Sequence, residues 1–247
     1  SDRQGMLSGD SPYLLSFDVF KRGLDQAIEN GVLFDLIGSD DPQGPGGVEI
    51  TSDDGGGSAM LLAEHLKRLG IRAKFFIVTA WIGRDGFLAD EEIQYIHSLG
   101  HVIGSHSHTH PNPFCDLRRG LLRKEVLHSR EVLEGLLGVA VDSFSVPGGE
   151  LRRGTIRELQ AVDLGLSRIY TSTPYQGAYL ATSTSTVLGR YCIMRSMDST
   201  KTTRAIEGRG WVWNRMRYKI GRTKREALKT IPSWINWRPG DVSGGSA

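Results

Sequence analysis

Three of the seven histidines in this 247-residue chain fall within five positions, in Ser105-His106-Ser107-His108-Thr109-His110-Pro111. Imidazole is the commonest protein metal ligand and holds zinc through a ring nitrogen. On a helical turn or compact loop, side chains four residues apart project to one side, so His106 and His110 have the spacing to share a cation. A second constellation, Thr51-Ser52-Asp53-Asp54-Gly55, lies upstream. Neighbouring carboxylates on extended backbone point in different directions, so this pair can divide its work. One can bind a metal while the other stays free as a base, and the spacing alone leaves open which is which. Two histidines and one carboxylate would leave coordination positions free for water and substrate, as a hydrolytic metal requires. Such a cation lowers the pKa of water and polarises a carbonyl, and the free Asp would accept the proton.

Each of these residues also has a plainer reading. His106 and His110 could be a surface pair, and the Asp pair upstream favours ligation instead. Asp53 could be a turn aspartate before Gly55-Gly56-Gly57. His108, between the two proposed ligands, is expected to point away from the metal. His65, His97, His101 and His128 fall in helix or strand patterns and are expected to be ordinary surface or partly buried residues.

Positioning these groups requires elements that end together. Residues 47–51, 73–78, 101–104, 141–146, 167–171 and 187–194 read as strands. Between them lie helical patterns at 58–69, 90–99, 116–137 and 154–164. In the first, Leu61, Leu62, Leu66 and Leu69 share a face and Ser58 is the expected cap; Asp90 is the expected cap of the second. Repeated βα units imply a parallel sheet with right-handed crossovers, open or closed into a barrel. The candidate chemistry falls just past the C-terminal ends of the first, third and fourth strands, the edge where parallel α/β folds build sites.

Taken together the motifs resemble those of a known family. Thr51-Ser52-Asp53-Asp54-Gly55 is similar to the T-F-D-D-G motif of the polysaccharide deacetylases, the NodB-homology or carbohydrate esterase family 4 group. His106-Ser107-His108-Thr109-His110-Pro111 matches their H-[ST]-x-x-H-P motif. Phe144-Ser145-Val146-Pro147-Gly148-Gly149 resembles a P-G-G variant of their third motif. The variant forms are most similar to deacetylases encoded with bacterial exopolysaccharide genes. The resemblance implies an α/β fold, a deformed (β/α) barrel of about seven repeats. It implies Asp53 as general base and Asp54, His106 and His110 as ligands of a divalent metal, zinc foremost, with cobalt, nickel or iron also accommodated. The backbone N–H of Gly148 takes the place of an oxyanion donor. The implied reaction removes an acetyl group, usually N-acetyl, from an acetylated glycan.

Three departures stand out. Ser52 replaces the usual Phe. Ser145 stands where the family has an arginine that orients the catalytic Asp, leaving Arg190 and Arg195 as candidates for that task. The late L-x-H motif, whose histidine serves as general acid, has no match, since no histidine follows His128; the corresponding strand offers Leu188-Gly189-Arg190. Water, Asp53 after accepting a proton, or an unidentified residue would then protonate the leaving group. Two rival functions follow: a glycan-binding protein that keeps the metal without catalysis, and a small-molecule amidase on the same scaffold.

Charge divides the chain. Residues 1–200 carry 19 Lys and Arg against 25 Asp and Glu, whereas residues 201–247 carry 11 against 3. This argues against nucleic-acid binding by the whole chain and confines any anionic partner to the tail. The tail also holds four of the five tryptophans. It reads either as a segment resting on a membrane surface or glycan, or as a solvated helix packed on the barrel, and the second reading is preferred. The expected organisation is a helical lead-in and Gly/Pro loop (1–47), a deacetylase-like core (48–198) and a basic Trp-containing segment (199–247). No apolar run approaches the roughly 20 residues of a membrane span. No signal-peptide pattern opens the sequence, from which a cytoplasmic location is expected. Two distant cysteines are compatible with a reducing compartment.

Overall fold

A computed structural model describes residues 15–38, 47–175 and 178–209 of the chain. Most of the Gly/Pro loop and the basic, Trp-containing stretch from 211 onward lie outside the described residues. From β1 (Ile50–Ser52) the chain alternates through α2 (Ala59–Arg68), β2 (Ala73–Ile77), α3 (Asp90–Ser98), β3 (Val102–Ser105), α4 (Arg119–Leu137), β4 (Ser143–Ser145), α5 (Arg153–Leu159) and β5 (Arg168–Tyr170). An antiparallel pair follows, β6 (Ala178–Ala181) and β7 (Thr186–Leu188). Helix α1 (Phe17–Glu29) precedes the sheet and α6 (Ser199–Ile206) follows it. The strand order is β1-β2-β3-β4-β5-β7-β6, with every neighbouring pair parallel except β6 and β7. Every residue of β2 is buried, as a strand covered on both faces requires.

The sheet is strongly curled. In a flat sheet β1 and β5, four strand spacings apart, would be separated by about 19 Å. Yet Tyr170 Oη, at the end of β5, donates a hydrogen bond of 3.1 Å to Glu49, the residue before β1. Only a sheet rolled towards a barrel brings these groups together, and the expected deformed (β/α) barrel is the fold the chain adopts. The regular alternation stops at β5, where β6, unread in the sequence, pairs antiparallel with β7 and completes the seven strands. The apolar stretch 187–194 yields only Thr186–Leu188 as strand. Gly189 approaches backbone so closely that a Cβ there would lie 2.4 Å from the Tyr175 carbonyl oxygen. The chain then turns inward and delivers Arg190 to the site.

Helix α2 differs from the expected pattern. Leu61 and Leu69 are 57% and 38% exposed, whereas Ala59, Ala63, His65 and Leu66 face inward. Small residues let this helix lie close to the sheet, so its buried stripe is alanine and histidine more than leucine. Nor do the expected caps form: Ser58 makes no side-chain cap, and Asp90 is the first residue of α3. There Glu92 reaches back to accept from the Ala89 N–H at 2.9 Å. His101 is buried, contrary to the surface or partly buried place expected of it. Its Nε2 donates to the Ala63 carbonyl at 2.9 Å and its Nδ1 accepts from the Ala73 N–H at 3.2 Å, which fixes one neutral tautomer.

Burial pushes the His101 pKa below its ordinary 6.5, with the Ala63 carbonyl opposing only in part. The folded state therefore prefers the neutral ring, while the unfolded chain takes up a proton near pH 6.5. This contribution to stability is complete above pH 6.5 and is lost as pH falls towards the depressed folded value. The urea midpoint is expected to drop between pH 7.5 and 5, and less steeply in His101→Gln. Identical slopes in the two proteins would contradict the assignment.

Helices α1 and α6 pack against each other. A Cβ on Gly23 would lie 2.7 Å from Thr202 Cβ, so the glycine sets how closely the helices approach. Thr203 Oγ1 donates to the Gly23 carbonyl at 3.1 Å, and Asn30 donates to Glu207 at 2.6 Å. Leu24, Ala27 and Ile206 join the core that holds Ile50, Ala63 and Leu66. No helix among the described residues is long and apolar enough to cross a membrane.

Candidate active site

The C-terminal ends of β1, β3, β4 and β7 converge. Asp53 and Asp54 follow β1, His106 follows β3, Ser145 ends β4 with Gly148 just beyond, and Arg190 follows β7. Parallel pairing carries the β3 end into place: Ser105 is level with Ile77, and the His106 N–H donates to the Ile77 carbonyl at 2.8 Å. Asp54 and Gly55 both adopt left-handed backbone, φ 73° and 75°, which turns the chain sharply and aims the Asp54 carboxylate back across the strand ends.

Asp54, His106 and His110 form one cluster. Their nearest ligand atoms all lie within 4.8 Å of one another. Asp54 Oδ1 is 3.3 Å from His106 Nε2 and 3.6 Å from His110 Nε2. His106 Nδ1 contacts the Ser145 carbonyl oxygen at 2.8 Å, which requires the proton on Nδ1 and turns the Nε2 lone pair towards Asp54. Trp81 packs beside the His110 ring, centroids 5.2 Å apart. Two imidazole nitrogens and one carboxylate oxygen, one ring already fixed in the ligating tautomer, fit a divalent cation with positions left open. Asp54, Ser107 and His110 are also the three non-glycine residues with positive φ among the described residues. Backbone strain of this kind concentrates where geometry serves function.

Asp53 stays outside the cluster, with His106 Nε2 4.0 Å from its Oδ2. Arg190 clamps it bidentately, Nη1 to Oδ1 at 2.7 Å and Nη2 to Oδ2 at 2.8 Å. Ser145 Oγ donates to Oδ2 at 3.0 Å and itself accepts from Arg190 Nη2 at 2.8 Å. Burial alone would raise the Asp53 pKa. The charge of Arg190, with the hydrogen bonds from Arg190 and Ser145, outweighs it and holds the carboxyl well below the usual range. Arg190 is fastened in turn to Thr51 Oγ1 at 3.0 Å and the Thr171 carbonyl at 3.3 Å, and it lies over the Phe76 and Tyr170 rings. Of the two arginine candidates, Arg190 makes the contact. Arg195 is exposed and has no contact to Asp53 among the described residues, because the chain has already left the strand ends by that point. Ser145, which looks in sequence like a lost arginine, is a hydrogen-bonding bridge in a clamp supplied from β7.

Gly148 has φ 69° and is exposed, and its N–H has no protein acceptor among the described residues. A Cβ there would meet Asn112 Oδ1 at 2.9 Å. His108 turns away, its Nδ1 2.9 Å from Thr79 Oγ1 and its ring 4.3 Å from that of His128. Sequence reasoning missed Glu125, whose carboxylate accepts from the histidine loop. The available signal was an acid on α4 with no Lys or Arg three or four positions away.

A family model described as polysaccharide deacetylase matches residues 40–167, just over half of the chain. The chain belongs to the polysaccharide deacetylase family. The matched stretch holds Asp53, Asp54, His106, His110, Ser145 and Gly148 and ends before Arg190. A peptidoglycan-N-acetylglucosamine deacetylase of Bacillus cereus is 26% identical over 145 residues, 58% of this chain. The chain spans about half the length of that curated relative, 51%. Two solved structures share the deacetylase fold. Streptococcus pyogenes deacetylase PplD, in complex with acetate, has a TM-score of 0.64 at 17% identity, over 80% of this chain and 89% of its own. IcaB from Ammonifex degensii has a TM-score of 0.63 at 22% identity, over 81% and 92%.

Proposed function

We propose that this family member is a metal-dependent hydrolase that removes acetyl groups from an N-acetylated glycan, an exopolysaccharide or its precursor. The observation that carries the reading is the pairing of a clamped, ionised Asp53 with the adjacent Asp54, His106 and His110 ligand set. The family match supports deacetylation of a polysaccharide, and the name of the Bacillus cereus relative supports the N-acetyl sugar. Asp54, His106 and His110 would hold a divalent cation, zinc by preference, which would supply acidification of a water and polarisation of the acetyl carbonyl. Asp53 accepts the proton of the attacking water, and Arg190 and Ser145 keep its carboxylate aimed and charged. The Gly148 N–H donates to the carbonyl oxygen as negative charge develops there. Arg190 stands where the family's acid histidine is expected and is committed to Asp53, so protonated Asp53 returns the proton to the leaving nitrogen as the C–N bond breaks. Water and the N-acetyl sugar become acetate and the free amine.

Acetate release should be measured with N-acetylglucosamine oligomers, an O-acetylated oligosaccharide and a simple acetamide. The expected order is N-acetyl oligomer first, with the acetamide at background. Tight oligomer binding without acetate would favour the glycan-binding reading, and release from the acetamide alone would favour the amidase.

A further inference from the structure

We infer that Glu125, on α4 and outside the active-site cleft, is a positioning residue that holds His110 in its ligating place. One carboxylate accepts three hydrogen bonds from the loop between the two histidine ligands. Its Oε2 accepts from the His108 N–H at 2.9 Å and the Thr109 N–H at 2.8 Å, and its Oε1 accepts from Thr109 Oγ1 at 2.7 Å. The loop needs such a hold. Ser107 and His110, on either side of the bonded amides, sit at φ 66° and 57°, a conformation that L-residues keep only when their surroundings impose it.

The two ligands are secured differently. His106 continues β3, bonded through its N–H to Ile77 and through its ring to the Ser145 carbonyl. His110 has the Ser107 hydroxyl at its own N–H, 3.0 Å away, the Trp81 ring packed beside its ring, and the loop ahead of it. The loop's other ties are the Ser107 N–H to Ser105 Oγ at 3.2 Å, the His108 ring to Thr79 Oγ1 at 2.9 Å, and bonds from Thr79 N–H to the Ser107 carbonyl and from Ala80 N–H to the His108 carbonyl, at 3.3 and 2.9 Å. They leave the His108 and Thr109 amides to Glu125. Release of Glu125 therefore loosens His110 and spares His106.

The inference rests on the metal reading above, so its test joins zinc affinity to a measurement made without metal. Zinc affinity is read by competition with a chromophoric chelator, and amide exchange over residues 107–110 is followed in the metal-free protein. Glu125→Ala should weaken zinc binding by about 10- to 100-fold, the usual range for losing a group that orients a ligand. Exchange at His108 and Thr109 should accelerate, while the buried turn of α4 around Val126 and Leu133 keeps its protection. Glu125→Gln retains one carbonyl acceptor and should lose less. Thr109→Val keeps both amide bonds and should lose least, and Lys124→Ala should match the unaltered protein. Should the alanine variant fail to fold, the Gln and Val variants carry the same ranking. Zinc affinity within twofold of the unaltered protein, or unchanged exchange at His108 and Thr109, would overturn the inference. Failure of the unaltered protein to take up zinc would remove the metal reading instead, and the exchange result would then decide the brace alone.

Discussion

Asp53→Asn is expected to reduce acetate release by on the order of 10³-fold, within the range for losing a positioned general base, while zinc stays bound. The side chain keeps its shape and one carbonyl oxygen for Arg190, so the substitution removes the proton acceptor and leaves the ligand set intact. It also leaves the Arg190 charge without its partner, so a thermal unfolding scan must accompany the assay. Asp54→Asn should behave oppositely, losing zinc and activity together. Steady-state acetate release and bound zinc per chain distinguish the two. Activity in Asp53→Asn above a tenth of the unaltered protein would sink the base assignment.

Arg190→Gln carries the second large effect. Two hydrogen bonds to the Asp53 carboxylate and one to Ser145 disappear together. Losing a bond to a charged group is worth about 1.5–3 kcal/mol, on the order of 10- to 100-fold in kcat. The pH profile should move as well. Burial already pushes the Asp53 pKa up, and Arg190 is the largest influence holding it down. Without Arg190 the pKa rises, the carboxylate survives only at higher pH, and the acid limb of kcat/KM shifts upward. Arg190→Lys should fall between, because it restores a charge without the two-point fork. A fully active Arg190→Gln with an unmoved acid limb would contradict the clamp.

How far the sequence carries the reader depends on the range of each interaction. The βα alternation was legible because β2 is densely apolar, interrupted only by Lys74, and α4 has a long apolar period. The Asp pair and His106/His110 were legible because each constellation is local, set by a few residues at a strand end. The clamp on Asp53 joins residues 137 positions apart. It exists only because the curled sheet brings the β7 end over the β1 end, a closure that no local pattern encodes. Sequence therefore offered Arg190 and Arg195 as equals, and only the turn at Gly189 separates them. The β6 strand is short, on the sheet edge and rich in alanine, so it lacked the β-branched signature. The leucine period of α2 does not set its buried stripe, because close helix–sheet approach favours Ala59 and Ala63 there. Glu125 escaped because an acid that serves backbone amides leaves no charge pattern.

Deacetylation is proposed to depend on a metal held by Asp54, His106 and His110. The most direct test of this dependence is acetate release from N-acetylglucosamine oligomers by chelator-stripped protein, before and after adding one equivalent of zinc. Stripped protein should be inactive, zinc should restore release, and His110→Ala should need far more zinc to recover. Release by metal-free protein at the rate of the zinc-loaded protein would contradict a metal-dependent reaction at this site.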